Sequence, residues 1–446
     1  MHLRPISLTA SAAAAFLSFG LGAAAVAAPT EITEVVSPGG IKAWLVQEPS
    51  VPVISVEFLF TGGAALDPAG KEGLANMVSG LLDEGAGDLD SLAYQTRLED
   101  LAVRLRFDSG RDRFGGSFKT LSRNRDAAFE MLRLAVNEPR FDSVPVERIR
   151  RQIIVGLTRE LEDPGRIASR TWFETAFPDH VYGRPADGTI DSVKAITTDD
   201  LRQFVAQRFA RDNLIIGVVG DITPAALGPL LDHAFGGLPE TATPVNVPDV
   251  VPPDEDRLTV VRKDIPQSVV FLGMRGIKRD DPDWYAAFVM NYVLGGGGLG
   301  SRLNDEVREK RGLAYSVYSY LLPLQHTGIY AGGVGTQNAR VGESLDIFRS
   351  ELRRLRDEGI TTEELADAKT YLNGSFPLRL TSGAGIARLL VAIQRQELGI
   401  DYIDRRPDYI NAVTLDDIKR VAERLLTPDN LLIVVVGDPE GIEQDG

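Results

Sequence analysis

Cysteine is absent from all 446 residues. Its absence excludes disulfides, thiolate metal sites, a cysteine nucleophile and a lipid-anchored cysteine terminus. Histidine is nearly absent as well: apart from His2 there are only His180, His233 and His326, no two within a helical turn of each other. A zinc site built from imidazoles therefore lacks its raw material. No Gly-x-Ser-x-Gly turn of the serine hydrolases appears, and the glycine run at 295–298 lacks the lysine and spacing of a phosphate-binding loop. Excess positive charge is missing too. The formal net charge is −15, which disfavours nucleic acid and anionic lipid as partners.

The one long apolar run lies at the start, where Arg4 precedes an alanine-rich stretch over 8–26 that closes on Ala25-Val26-Ala27-Ala28. That pattern predicts a cleavable secretory leader over residues 1–28 and a periplasmic mature chain. Its weakly apolar alanines and small-residue close fit a leader better than a membrane anchor. Removing it takes the formal charge to −16. What remains is ordinary for a soluble protein, with 43% hydrophobic and 25% charged residues. It is too long for a single core.

Two stretches explain how that length is divided. TTDDLRQFVAQRFARDNLIIGVVGD at 197–221 and TLDDIKRVAERLLTPDNLLIVVVGD at 414–438 align without a gap at an offset of 217, with 11 of 25 positions identical. Each reads as a capped helix, an Asp-Asn turn and a buried strand ending Gly-Asp. The halves thus look like copies of one domain. A linker at 238–256 separates them, carrying Pro239, Pro244, Pro248, Pro252 and Pro253. The expected division is a first domain over 29–237 and a second over 257–446. Period-2 strands at 41–46, 53–60, 113–119 and 268–274 mix with helical periodicity at 71–82, 92–103, 123–136, 146–162, 283–294, 341–358, 362–372 and 386–398. Asp163-Pro164 reads as a helix stop. The mixture predicts two tandem α+β sandwiches with antiparallel-rich sheets.

The candidate chemistry lies in GGGGLGSRLNDEVREKRGLAYSVYSY at 295–320. A helix is expected over 301–310, Gly312 ends it, and a strand starts at Ala314. A glycine stop reverses the chain, so Arg308 and Tyr315 can present polar tips side by side. A cation in a last helical turn and a tyrosine in a strand are also common packing choices. The local pattern alone leaves both readings open.

Taken with the tandem halves and the leader, RLNDEVREKRGLAYSVYSY and FPDHVYGRPADGT at 177–189 resemble the M16 family of zinc peptidases, the pitrilysin and mitochondrial processing peptidase group. The resemblance covers essentially the whole mature chain. It implies a first half carrying an inverted His-x-x-Glu-His zinc motif on a helix, and a second half whose Arg/Tyr pair, here Arg308 and Tyr315, contacts substrate. The lead-in Gly73-Leu74-Ala75 is present, but the motif reads Asn76-Met77-Val78-Ser79-Gly80, so all three functional positions, Asn76, Ser79 and Gly80, are replaced. No metal is expected in this chain. A hard-cation site on Asp83 and Asn76 would have too few carboxylates.

In bacterial relatives built from two half-sized chains, one carries the zinc and the other the Arg/Tyr pair. The resemblance therefore implies a non-metal subunit of a heterodimeric periplasmic peptidase, with zinc in a motif-bearing partner and a peptide as substrate. Arg308 and Tyr315 would act on the transition state, while Gly295, Gly296, Gly297, Gly298 and Ser301 would line the peptide. The alternative is an inactive M16-fold peptide-binding or scaffold protein.

Overall fold

The computed structural model describes residues 31–442, and the leader expected over 1–28 lies outside them. Six strands form the first sheet: β1 (Thr33–Val36), β2 (Lys42–Gln47), β3 (Val53–Thr61), β4 (Arg104–Ser109), β5 (Arg113–Leu121) and β6 (Leu214–Gly220), in the order β1-β2-β6-β3-β5-β4. Five form the second: β7 (Arg257–Arg262), β8 (Gln267–Arg275), β9 (Ala314–Pro323), β10 (Gly328–Gln337) and β11 (Leu432–Gly437), in the order β7-β11-β8-β10-β9. Apart from β1, the second sheet repeats the order of the first. Each has one parallel pair, β2 with β6 and β7 with β11, among antiparallel neighbours. The fold is thus α+β with antiparallel-rich sheets.

The repeated strands β6 and β11 sit inside their sheets, and every residue of β11 is buried. A strand apolar on both faces needs cover on both. One face of each sheet packs against helices of its own half. The other face is covered from across the linker. The helix Pro164–Ala176 of the first half lies on β8 and β11 of the second sheet, through Trp172 and Phe173 against Phe271, Leu432 and Val434. Its counterpart Gly383–Arg395 lies on β3 and β6 of the first sheet, through Ala387, Leu390 and Ile393 against Trp44, Val46 and Val219. The two helices sit at nearly the offset of the sequence repeat, so the exchange is reciprocal.

Glycines in the sheets admit these helices. A Cβ at Gly273 would lie 2.5 Å from the Trp172 ring, and one at Gly217 would lie 2.5 Å from the Ala387 carbonyl oxygen. Each crossing helix also donates a side-chain hydrogen bond to the other half's backbone. Trp172 Nε1 reaches Leu432 O at 3.0 Å, and Gln394 Nε2 reaches Ile216 O at 2.9 Å. Residues from Glu31 onward accordingly form one compact unit. The proline-rich linker runs between the halves, held by His180 at Pro248 O (3.0 Å) and by Val250 N donating to His326 O (2.9 Å).

Three expected elements differ. Asp163-Pro164 is a start as well as a stop: Asp163 caps the crossing helix by accepting from Arg166 N at 2.9 Å, with Pro164 in its first turn, where a missing N–H costs nothing. The helix expected over 71–82 is only Leu74–Ser79, closed by Gly80. The helix expected over 301–310 is a wide π-type turn, Asn304–Glu309.

Trp172→Ala is expected to destabilise the chain by about 3–5 kcal/mol through the cavity it leaves. Gly273→Ala should cost about 1–3 kcal/mol by forcing Trp172 aside. Denaturant unfolding checks both. Both variants should lower one shared transition, since the affected contact joins the two halves.

Candidate functional site

The turn between Arg308 and Tyr315 is built from two π-type turns and a β-bulge. The helix Trp284–Asn291 runs on into a π turn, Tyr292–Gly296, that takes in the first two glycines of the run, and the second π turn follows at Asn304–Glu309. Such turns widen the backbone ladder and recur at functional sites. Lys310 N donates to Asp305 O, Gly312 N to Arg308 O, and Leu313 N to Val307 O, each at 2.9 Å. Gly312 takes φ +60°, the left-handed value that lets the chain reverse. The reversal places the start of β9 beside the last π turn.

β9 is the edge strand of the second sheet, and its ladder with β10 slips at the start. Ser316 pairs with Gly335 but Ala314 pairs with Thr336, leaving Tyr315 as the extra residue. A bulge re-aims a side chain. Tyr315 is 82% exposed, so the core makes no use of it. Buried Thr336 fixes the bulge by donating to Leu313 O at 2.6 Å and accepting from Ser344 Oγ at 3.3 Å.

Three cations share the turn, and two of them are committed. Lys310 pairs with Asp305 and Glu306, both at 2.7 Å, and Arg311 pairs with Glu306 at 2.5 Å. Their hydrogen bonds hold the Glu306 carboxyl below its ordinary range. Arg308 has only a looser 3.8 Å contact with adjacent Glu309, and its side chain is 40% exposed. No hydrogen bond joins Arg308 to Tyr315 among the described residues. Both stand open to solvent on one reversal of the chain.

The proposed peptide-lining residues divide. Ser301 is 1% exposed and donates to Gly298 O at 2.7 Å, so its hydroxyl braces the loop from within. Gly295 is buried against β9, where a Cβ would lie 2.4 Å from Ser319 Oγ. A Cβ on Gly297 would lie 2.7 Å from Tyr292 O. Gly296 and Gly298 are the exposed part of the run. Arg302, adjoining this loop, makes a bidentate pair with Glu364 at 2.6 and 2.7 Å and donates to Gly359 O at 3.1 Å. It ties the loop to the helix Thr362–Gly374. Sequence reasoning missed Arg302 and Thr336 as supports, since their partners lie 62 and 23 residues away.

The first half's motif helix is held by its apolar residues, with Leu74, Ala75, Met77 and Val78 buried. Asp67 caps it, accepting from Gly73 N at 2.9 Å and Ala75 N at 3.1 Å. Ser79 Oγ donates to Asn76 O at 2.8 Å, and a Cβ on Gly80 would lie 3.1 Å from Ile149. An amide, a hydroxyl already spent on the backbone and a glycine do not make a zinc site. Nearby Asp83 is a single carboxyl, raised to about 6 by burial and by the charge of Glu84. Among the described residues no group of three or more metal-ligating side chains occurs.

Two repeated sheets with exchanged helices, a vacated metal motif and an exposed Arg/Tyr turn define a peptidase-fold protein that holds no metal centre of its own among the described residues. The profile of the family described as "Peptidase M16 inactive domain" matches residues 195–372. The "Non-peptidase homolog YmxG" of Helicobacter pylori is 29% identical over 332 residues, 74% of this chain and 76% of that protein. The "Uncharacterized zinc protease YmxG" of Bacillus subtilis is 27% identical over 328 residues, 71% and 76% of the two chains. The crystal structure of a peptidase M16 inactive domain from Pseudomonas fluorescens superposes with a TM-score of 0.86 at 27% identity, covering 93% of this chain and 99% of that one. A protease from Helicobacter pylori shares the fold, with a TM-score of 0.82 at 21% identity over 91% and 99%. The chain is similar to these M16 proteins over most of its length and shares their fold.

The buried Asp83 carboxyl gives a pH dependence. Its folded pKa lies above the ordinary value of 3.8, so its protonated form is stable in the folded chain. The unfolded chain gives up that proton first as pH rises. Stability from this group is therefore full below about pH 4 and lost by about pH 6. Asp83→Asn should gain up to about 2 kcal/mol over the wild type above pH 6 and little at pH 4, measured as the difference between their denaturant midpoints across that range.

Proposed function

We propose that this chain is the non-metal subunit of a two-chain M16 peptidase that works in the periplasm after loss of the leader. Its partner would be a similar chain with an intact zinc motif. The observation that carries the reading is the exposure of Tyr315 at a bulge, on the same chain reversal as an arginine whose neighbouring cations are already paired. A tyrosine kept for packing would be buried; this one costs the fold an edge irregularity and contributes no core.

In this reading Arg308 gives a charge-assisted hydrogen bond to a substrate carbonyl. The Tyr315 hydroxyl donates to the oxyanion that develops as the scissile carbonyl is attacked, where a fixed donor in a water-poor site is worth most. The partner supplies the metal chemistry of bond cleavage. The exposed glycines Gly296 and Gly298 let a peptide backbone approach closely. Their exposure, and not that of Gly295 or Ser301, supports a peptide-facing role.

The second reading is an inactive peptide-binding or scaffold protein of the same fold. The vacated motif and the family description of an inactive domain favour it equally. Only the Arg/Tyr turn separates the two, because a scaffold has no use for a donor aimed at a transition state.

The test combines this chain with the metal-bearing M16 chain of the same organism and follows cleavage of an unfolded peptide. Tyr315→Phe should leave melting and co-elution unchanged while lowering turnover about a hundredfold. An assembled complex with undiminished turnover would refute the assignment and leave the scaffold reading.

A further inference from the structure

A cleft of about 750 Å³ opens between the crossing helix Pro164–Ala176, the loop at 183–190 and the far end of β9. Its volume lies in the ~300–1,000 Å³ range of small-ligand sites. Phe173, Leu161, Ile167, Tyr320 and Leu322 supply apolar walls. Six arginines also line it, in a chain with net charge −15. That local excess of positive charge needs an account.

Three of the six have carboxylates at hand. Arg113 pairs with Asp108 at 2.6 Å, Arg170 with Glu174 at 2.8 Å, and Arg166 stands 3.8 Å from Glu160. The other three have none in contact. Arg111 donates to the carbonyls of Tyr182 (2.8 Å) and Arg184 (3.1 Å) and stacks 4.0 Å over the Phe173 ring. Arg184 donates to Asp67 O at 3.2 Å. The side chain of Arg395, the last residue of the other crossing helix, makes no hydrogen bond or ion pair among the described residues.

Asp112 is the buried carboxylate whose charge acts on both Arg111 and Arg395, but it touches neither: Tyr182 Oη donates to it at 2.7 Å and Gln325 N at 3.0 Å. Asp187 and Asp191 lie on the cleft's loop side, and the charge of Asp187 joins burial in holding Glu160 above its ordinary range. Burial presses the guanidinium pKa of both Arg111 and Arg395 down. A cation partly withdrawn from water with no anion in contact is costly, and Arg395 borders open space on both sides. It also lines a second cavity of about 860 Å³ beneath Tyr285 and Tyr402.

We propose that this cleft binds a ligand with a carboxylate on an apolar body, such as the free C-terminus of a short apolar peptide, with Arg395 receiving the carboxylate and Arg111 supporting it. The planar guanidinium fork matches a carboxylate. The aromatic and aliphatic walls suit a ligand that is mostly apolar and argue against a bare phosphate. The site uses neither Arg308 nor Tyr315 and needs no partner chain, so its failure would leave the subunit reading untouched.

Calorimetric titration of the whole chain with acetyl-Leu-Phe-Leu as free acid, as its C-terminal amide, and with inorganic phosphate tests the proposal. The free acid should bind at least tenfold more tightly than the amide, and phosphate should compete weakly. Arg395→Gln should erase the difference between acid and amide, Arg395→Lys should restore part of it, and Arg202→Gln, outside the cleft and paired with Asp199, should leave it unchanged. Equal binding of acid and amide, no binding of either, or binding of phosphate alone would overturn the proposal. If Arg395→Gln does not fold, the contrast between acid and amide on the wild-type chain decides.

Discussion

Two helices that each close the other half's sheet are the constraint on which this molecule depends. β6 and β11 are apolar on both faces, and neither half covers this inner strand alone: the first sheet needs Ala387 and Leu390, and the second needs Trp172 and Phe173. Burying an aromatic or aliphatic side chain of this size contributes roughly 1.5–3 kcal/mol, and several do so on each side. A chain without disulfides is held together by that exchange. The notches at Gly217 and Gly273, where no Cβ has room, bring helix and strand close enough for side-chain donors to reach backbone carbonyls. The linker at 238–256 then joins two parts of one interlocked core, and its bonds to His180 and His326 are secondary.

Packing within the first half's own core explains why the replaced motif positions have not cost the fold its first helix. The residues of Leu74–Ser79 that face the core are Leu74, Ala75, Met77 and Val78, and the cap comes from Asp67. None of these is a motif position. Asn76, Ser79 and Gly80 lie on the other side of the helix, where a metal would have been held. Replacing the ligands removes chemistry and leaves packing intact. A chain with these replacements can therefore keep the complete fold.

Much of the fold was legible because it rests on local signals. The Thr197/Asp200 and Thr414/Asp417 capping boxes form as the sequence reads, with each threonine accepting from the aspartate's backbone and each aspartate side chain returning to the threonine N–H. The repeat foretold two sheets, and their strand orders match. The crossing helix at Pro164–Ala176 was not legible, because Asp-Pro ends one helix and caps the next with the same two residues. The π turns were missed for another reason. Residues 301–310 satisfy helical periodicity, and only contacts distant in sequence, such as Arg302 with Glu364, set how the turn opens. In the candidate site the Arg/Tyr spacing was readable, whereas the bulge that exposes Tyr315 depends on the register of β9 against β10. The cleft arginines escaped because Arg111 and Arg395 come from opposite halves.

Strand β9 connects the two regions of interest. Tyr315 stands at its beginning, while Tyr320 and Leu322 form the wall of the arginine-lined cleft near its end. At about 3.3 Å per residue, Tyr315 and Tyr320 are roughly 16 Å apart along the strand, the reach of an extended peptide of about six residues. β9 is an edge strand, so part of its backbone hydrogen-bonding capacity is not used by the sheet. A chain lying along it would meet apolar walls and a cation at one end and an exposed phenol and guanidinium at the other. The bulge at Tyr315 interrupts the edge at one of these ends, which blunts pairing with a neighbouring sheet while leaving the stretch from Ser316 to Leu322 regular. The geometry thus separates an arginine-lined cleft from a displayed polar tip, and joins them by a single strand of fixed register.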